Sequence, residues 1–236
     1  MKKAIIFDFG QTLSDASNGF RAAEKDAQAK IFPCLGITSW DDFLERYRQF
    51  RKAYHEQSDF SRKDMWAQVF ASYDIAPDLT LLKDWEDDYW NTVEFQTSLF
   101  PEAMETLEKL RAKHLLAMIT NTQGQKSAGK HRLSHFPGLA GLFHEIIVAG
   151  ESDVPAKPHP APFQLCLRRL GILASEAVYV GDDWRIDICG ASNVGIQPIW
   201  LKHYSVRRAW PVVETEIPVI TSLDRLLNLN SIIPQG

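Results

Sequence analysis

The chain has 236 residues, 45% of them apolar and 24% charged, so it can bury the core of one ordinary α/β domain plus a smaller insert and is neither disordered nor fibrous. Its 26 basic and 30 acidic side chains leave a net charge of −4, a balance that points away from nucleic acid and from an anionic membrane surface as partners. Three widely spaced cysteines, Cys34, Cys166 and Cys189, form neither a disulfide framework nor a zinc knuckle and read as buried or half-buried thiols.

The opening MKKAIIFDFG begins like a signal peptide, but its apolar run stops at Asp8, short of the ~7–15 apolar residues an h-region needs. No run approaches the ~18 apolar residues of a membrane span. The expected location is the cytoplasm. Residues 3–7 (KAIIF) read as a short buried strand ending in the polar loop DFGQTLSD. Asn18 is placed to cap a first helix with Phe20, Ala23, Ala27 and Ile31 on one face. Ser39 and Ser61, each followed three residues on by an Asp, mark two further helix starts. Their stripes are Trp40, Phe43, Leu44, Tyr47, Phe50 and Tyr54, then Met65, Trp66, Val69, Phe70 and Tyr73. A fourth stripe carries Leu81, Leu82, Trp85, Tyr89, Trp90 and Val93. No strand pattern occurs between residues 15 and 96, so this stretch is expected to be an all-helical insert whose aromatics mostly form its own core.

After Pro101 the pattern changes. Helical PEAMETLEKLRAKH leads to apolar LLAMIT, and after a polar loop another helix precedes a strand near EIIVAG. A helix from about Pro160, the strand AVYV, a helix through ICGASNVG, the strand QPIWL, the short PVI and a terminal helix from Ser222 complete the chain. Strands alternating with helices imply right-handed βαβ units, a parallel sheet, and ligands bound beyond the carboxyl ends of the strands. The expected fold is a Rossmann-like three-layer α/β core, residues 1–14 and 97–236, with an inserted helical cap at 15–96.

Four strand ends carry chemistry: Asp8; Thr120 with Asn121; Lys157; and Asp182, Asp183 and Asp187 in VGDDWRID. Each alone has a dull explanation as a turn, helix cap or solvated loop residue. Together they supply a carboxylate nucleophile, a hydroxyl, a fixed cation and an acidic cluster, which are the parts phosphoryl transfer needs. Mg²⁺ prefers carboxylate and carbonyl oxygens, and Asp8 and Asp182 suit it as direct ligands, with Asp187 as a ligand or a holder of bound water.

With these residues in place the chain resembles the haloacid dehalogenase-like superfamily, in the subgroup with a helical cap inserted after the first motif. The resemblance rests on DFGQT (Asp8–Thr12), Thr120 in MITNT, Lys157 in KPHPAPF and GDDWRID (Gly181–Asp187). It implies an Asp8 nucleophile that forms an aspartyl-phosphate. It also implies Mg²⁺ on Asp8, the Gly10 carbonyl and Asp182 with Asp187 or Asp183 assisting, phosphoryl oxygens held by Thr120 and Lys157, and a small phosphorylated metabolite as substrate. Asn121 joins the expected substrate-binding set.

The departure is Gly10. Family phosphatases usually carry there a second Asp that protonates the leaving oxygen and later activates water; losing such a group typically costs ~10²–10⁴ in rate. Asp15 is one stand-in, set against a role as a turn or cap residue. Two alternatives remain. One is phosphonate cleavage with Lys52 or Lys63 as Schiff-base lysine; the other is a weak or non-catalytic module that keeps the Mg²⁺ and phosphate cradle. The acidic fourth motif argues against haloalkanoate chemistry, which needs no Mg²⁺. His131 and His135 share a helix face without a third ligand nearby, His159 lies two residues past Lys157, and Arg46, Arg48 and Arg51 read as a solvated basic face or as steering for an anion.

Overall fold

The computed structural model describes residues 2–122, 132–151, 153–228 and 230. In chain order the elements are β1 (Ala4–Phe7), β2 (Ser14–Asp15), α1 (Ser17–Cys34), α2 (Trp40–Glu56), α3 (Arg62–Ala71), α4 (Leu79–Phe95), β3 (Ser98–Leu99), α5 (Ala103–Arg111) and β4 (Leu115–Asn121). There follow α6 (Pro137–Ala140), β5 (Glu145–Ala149), α7 (Pro160–Leu170), β6 (Ala177–Gly181), α8 (Gly190–Ser192), β7 (Gln197–Leu201) and β8 (Val219–Ile220). The described residues form two compact units, one holding the chain up to Ser17, Ser98–Thr122 and the part after residue 131, the other holding Asn18–Thr97.

The first unit is a six-stranded sheet in the order β5-β4-β1-β6-β7-β8, every neighbouring pair parallel. β1 sits in the middle, with Phe7 opposite Met118 on one side and Val180 on the other. Strand order therefore reverses at β1, which opens a crevice beyond its carboxyl end. Alternation along the strands fills both faces. Ile5, Phe7, Met118, Val180 and Ile199 pack with Leu107 and Leu110 of α5 and with Leu223 and Leu226. Ile6, Ala117, Ile119 and Tyr179 pack with Phe163, Cys166 and Leu167 of α7 and with Ala191. Burial on both faces is why these strands read as unbroken apolar runs rather than as alternation.

The second unit is the helical stretch. Ser39 and Ser61 accept the N–H groups of Asp42 and Asp64, as their spacing predicts, and Asp78 does the same for Thr80 and Leu81. Its core holds a buried polar knot: Glu24 accepts from Tyr47 at 2.8 Å and Tyr89 at 2.9 Å and lies 3.5 Å from the Arg62 guanidinium. Arg46 bonds the Ser72 carbonyl and Arg51 faces Glu24, so both are engaged inside this unit, while Arg48 is exposed.

Several expectations need correction. α1 starts at Ser17, and the group that accepts its first N–H is the Asp15 carboxylate, 2.8 Å away, not Asn18. Ser14–Asp15 pairs with Ser98–Leu99 as a two-residue antiparallel ribbon, too short to carry a sequence pattern. The expected helix from Ser222 is a 3-10 helix at Leu223–Asn228. Cys34 is exposed, whereas Cys166 is buried and Cys189 half-buried. Leu81 and Trp40 are also exposed, each 40% or slightly more, although Trp40 meets Phe32 edge-on and tilts against Phe43.

Candidate active site

Four successive strand ends converge. Asp8 follows β1, Thr120 and Asn121 close β4, Lys157 lies between β5 and α7, and Asp182 follows β6. Lys157 is the centre. Its side chain is 1% exposed, and its Nζ donates to Asp8 Oδ1 at 2.8 Å, Asp187 Oδ1 at 2.7 Å and the Tyr179 hydroxyl at 2.8 Å. That satisfies all three ammonium donors. Burial works against the lysine's charge, but Asp187 and Asp8 outweigh it and hold its pKa above the usual value.

Carboxylate oxygens of Asp8, Asp182 and Asp187 lie within 4.8 Å of one another, all buried. Burial pushes Asp187 up to about 7, with Lys157 pulling the other way and Asp8 adding to the rise. Burial likewise raises Asp182 well above the carboxylate range, against the pull of Arg208.

Local sequence explains why the acidic residues meet. Asp183 caps the π-helical stretch Trp184–Cys189, accepting from Arg185 N at 3.0 Å and Ile186 N at 2.9 Å. That turn brings Asp187 back, so that its Oδ2 accepts from Asp183 N at 3.1 Å. Gly181 is required there: a Cβ at this position would lie 2.4 Å from Asp187 Cβ and 2.7 Å from its Oδ2.

The predicted residues divide accordingly. Asp8, Lys157, Asp182 and Asp187 are brought together, and Thr120, 2% exposed, is the next-to-last residue of the adjacent strand. Asn121 is engaged with the Lys157 main chain. Its Oδ1 accepts from Lys157 N at 2.8 Å and its Nδ2 donates to Lys157 O at 3.1 Å, so its amide brackets the lysine's own peptide. Asp15 is spent on the Ser17 N–H and His159 on the Ala161 N–H. Lys52 is 78% exposed and pairs with Glu56, and Lys63 faces Asp64, so neither has desolvated surroundings. His131 lies outside the described residues, and His135 is exposed.

Sequence reading missed three residues. Tyr179 alternates with core residues along β6 and reads as apolar filling. Trp200, whose indole N–H donates to Asp182 O at 2.9 Å, does the same on β7. Arg208 sits in a loop far from any motif and bonds Asp182 Oδ2 at 2.5 Å.

The model of the haloacid dehalogenase-like hydrolases matches residues 2–195. The chain belongs to that family and is a hydrolase. A phosphoglycolate phosphatase of Yersinia pseudotuberculosis is 39% identical over 85% of this chain and 81% of its own. A glyceraldehyde 3-phosphate phosphatase of Pyrococcus furiosus is 26% identical over the same shares. Among solved structures, a 2-haloacid dehalogenase of Pseudomonas syringae superposes with a TM-score of 0.64 at 27% identity, covering 98% of this chain and 99% of its own. A magnesium-bound hydrolase of Bacillus subtilis shares the fold at a TM-score of 0.63 and 22% identity, covering 97% and 98%. No helix among the described residues is long and apolar enough to cross a membrane.

Proposed function

We propose that this hydrolase is a cytoplasmic, Mg²⁺-dependent phosphatase that cleaves a small phosphorylated metabolite through an aspartyl-phosphate on Asp8, with the Asn18–Thr97 unit serving as its cap. The observation that carries the reading is the buried Lys157 ammonium bonded to both Asp8 and Asp187, beside Asp182. Once deprotonated, as metal ligation requires, the four carboxylates of Asp8, Asp182, Asp183 and Asp187 face two cations, Lys157 and Arg208, an excess of two negative charges that one divalent ion offsets. Carboxylate oxygens are the donors Mg²⁺ prefers, so the residues fit it. Asp8, the Gly10 carbonyl, Asp182 and Asp187 would hold the ion. When bound, it supplies positive charge to the oxygens of the phosphoryl group.

Lys157 engages Asp8 Oδ1, which leaves Oδ2 to attack phosphorus as the bond to the leaving oxygen breaks. Thr120 donates to a phosphoryl oxygen, and Lys157, whose three N–H groups are held by Asp8, Asp187 and Tyr179, adds positive charge beside it. Gly10 offers no acid, so the leaving oxygen takes its proton from water, and a leaving group of low basicity is handled best. Water then attacks the aspartyl-phosphate, releases phosphate and regenerates the Asp8 carboxylate. Lys52, 78% exposed, and Lys63, half-buried beside Asp64, both sit in ion pairs, which does not favour the phosphonate reading.

The test is phosphate release from a panel containing phosphoglycolate, glyceraldehyde 3-phosphate, p-nitrophenyl phosphate and acetyl phosphate, with Mg²⁺ or EDTA, beside Asp8→Asn. Release that needs both Mg²⁺ and Asp8 is expected. Release by Asp8→Asn would refute the mechanism. Silence across the panel in a folded protein that binds Mg²⁺ would favour the second reading that Gly10 keeps open, a phosphate-binding module.

A further inference from the structure

The loop between β7 and β8 delivers a second cation to the carboxylates. Among the described residues, Arg208 is the side chain that bonds the Asp182 carboxylate, at 2.5 Å, and its other terminal nitrogen lies 3.9 Å from Asp183. Trp210 covers the guanidinium at 4.6 Å and meets Trp200 edge-on at 6.4 Å, and Trp200 in turn holds the Asp182 carbonyl. One edge-on aromatic pair therefore serves the same aspartate at its main chain through Trp200 and at its side chain through Arg208.

The two cations of the site differ in how they are held. Lys157 is enclosed and bonded to three partners. The Arg208 side chain is 34% exposed, on a loop whose residues Arg207, Ala209 and Val212 are exposed as well. Lys157 is enclosed with the carboxylates it holds, whereas Arg208 can turn into solvent without opening a core, leaving Asp182 for the metal to take up.

We propose that Arg208 is a displaceable counter-cation that sets the affinity of the site for its divalent metal. It holds the Asp182 carboxyl until the ion takes that group, and metal binding releases it. This rests on the reading of Asp8, Asp182 and Asp187 as metal ligands. Arg208 occupies lone pairs that a metal needs and adds positive charge beside it, so both effects weaken metal binding.

The test is calorimetric titration of the full-length protein with Mg²⁺, comparing wild type, Arg208→Gln and the neighbouring control Arg207→Gln. Loss of a unit charge beside the ion should tighten Mg²⁺ binding by about tenfold or more in Arg208→Gln. Arg207→Gln, which removes the same charge from the loop without touching Asp182, should stay within about twofold of wild type, since solvent screens an exposed charge. In EDTA, Arg208→Gln should melt below wild type, because Asp182 is left buried and unpaired, and Mg²⁺ should close the gap. Should Arg208→Gln fold poorly, Trp210→Ala, which removes the plane that holds the guanidinium, is expected to tighten binding in the same direction. Unchanged or weaker binding in these variants would overturn the proposal and make Arg208 a fixed support. Absence of Mg²⁺ binding in folded wild type and variants alike would overturn the metal reading itself and this proposal with it.

Discussion

Asn121 brackets the peptide of Lys157, accepting its N–H at 2.8 Å and donating to its carbonyl at 3.1 Å across 36 residues of sequence. The last residue of β4 thus fixes where the central ammonium sits. Asn121→Ala removes both bonds and should cost about 1–3 kcal/mol of stability through unsatisfied peptide groups. A displaced Lys157 should also lower kcat by about 10², since a shift of about 1 Å at a positioning residue has that scale. Chemical denaturation and steady-state kinetics on the same variant check both effects.

Lys157→Met leaves the buried Asp8 and Asp187 carboxylates without their cation. Breaking such a cluster from one side should cost about 3–5 kcal/mol. Tyr179→Phe removes only one hydroxyl from the same cluster and should cost about 1 kcal/mol. Urea unfolding of the two variants should preserve that order.

Gly10 has no positive φ, so its backbone conformation does not demand glycine. Gly10→Asp installs a carboxyl at the position the family's phosphatases use for acid–base work. It should raise kcat by about 10²–10⁴ on substrates with a basic leaving oxygen and by much less on acetyl phosphate. A uniform effect across leaving groups would show that proton transfer is not what Gly10 limits.

Asp187 carries a pH signature, because burial pushes it up to about 7. A carboxyl whose folded pKa exceeds its unfolded value stabilises the fold below the unfolded value and loses that contribution as pH rises through the folded one. In EDTA, the melting temperature should therefore fall as pH rises from about 4 to about 7, the span between the unfolded and folded values. Asp187→Asn should flatten the profile, and saturating Mg²⁺ should restore stability at the upper end.

The thiols should separate by environment. Burial pushes Cys166 up to about 12, while Cys34 is exposed. A disulfide reagent at neutral pH should modify Cys34 in the native protein and Cys166 only after unfolding, as mass spectrometry of the modified peptides will show.

The residues legible in sequence are those whose chemistry sits at the end of an apolar run. Asp8, Thr120 and Asp182 each follow or close such a strand, Lys157 lies in the connection after β5, and a parallel sheet gathers strand ends at one edge. Partners set by tertiary packing were not legible. Tyr179 shows the same alternation as the core residues around it, and its hydroxyl matters only because Lys157 arrives from another part of the chain. Arg208 lies 26 residues beyond Asp182 in a loop without periodicity. The bonds from Asn121 to the Lys157 peptide are likewise invisible in sequence, because its strand-end position is the same whether or not its amide meets a neighbouring peptide. The β2–β3 ribbon has two residues per strand, fewer than alternation needs in order to be seen.

The account turns on Asp8 as nucleophile. Acid-quenching a reaction with acetyl phosphate in Mg²⁺, then mapping phosphorylated peptides by mass spectrometry, tests this directly. The predicted result is an acid-stable, base-labile phosphoryl adduct on Asp8 that is lost in Asp8→Asn. Phosphate turnover with no adduct at Asp8, or with one on another residue, would contradict it.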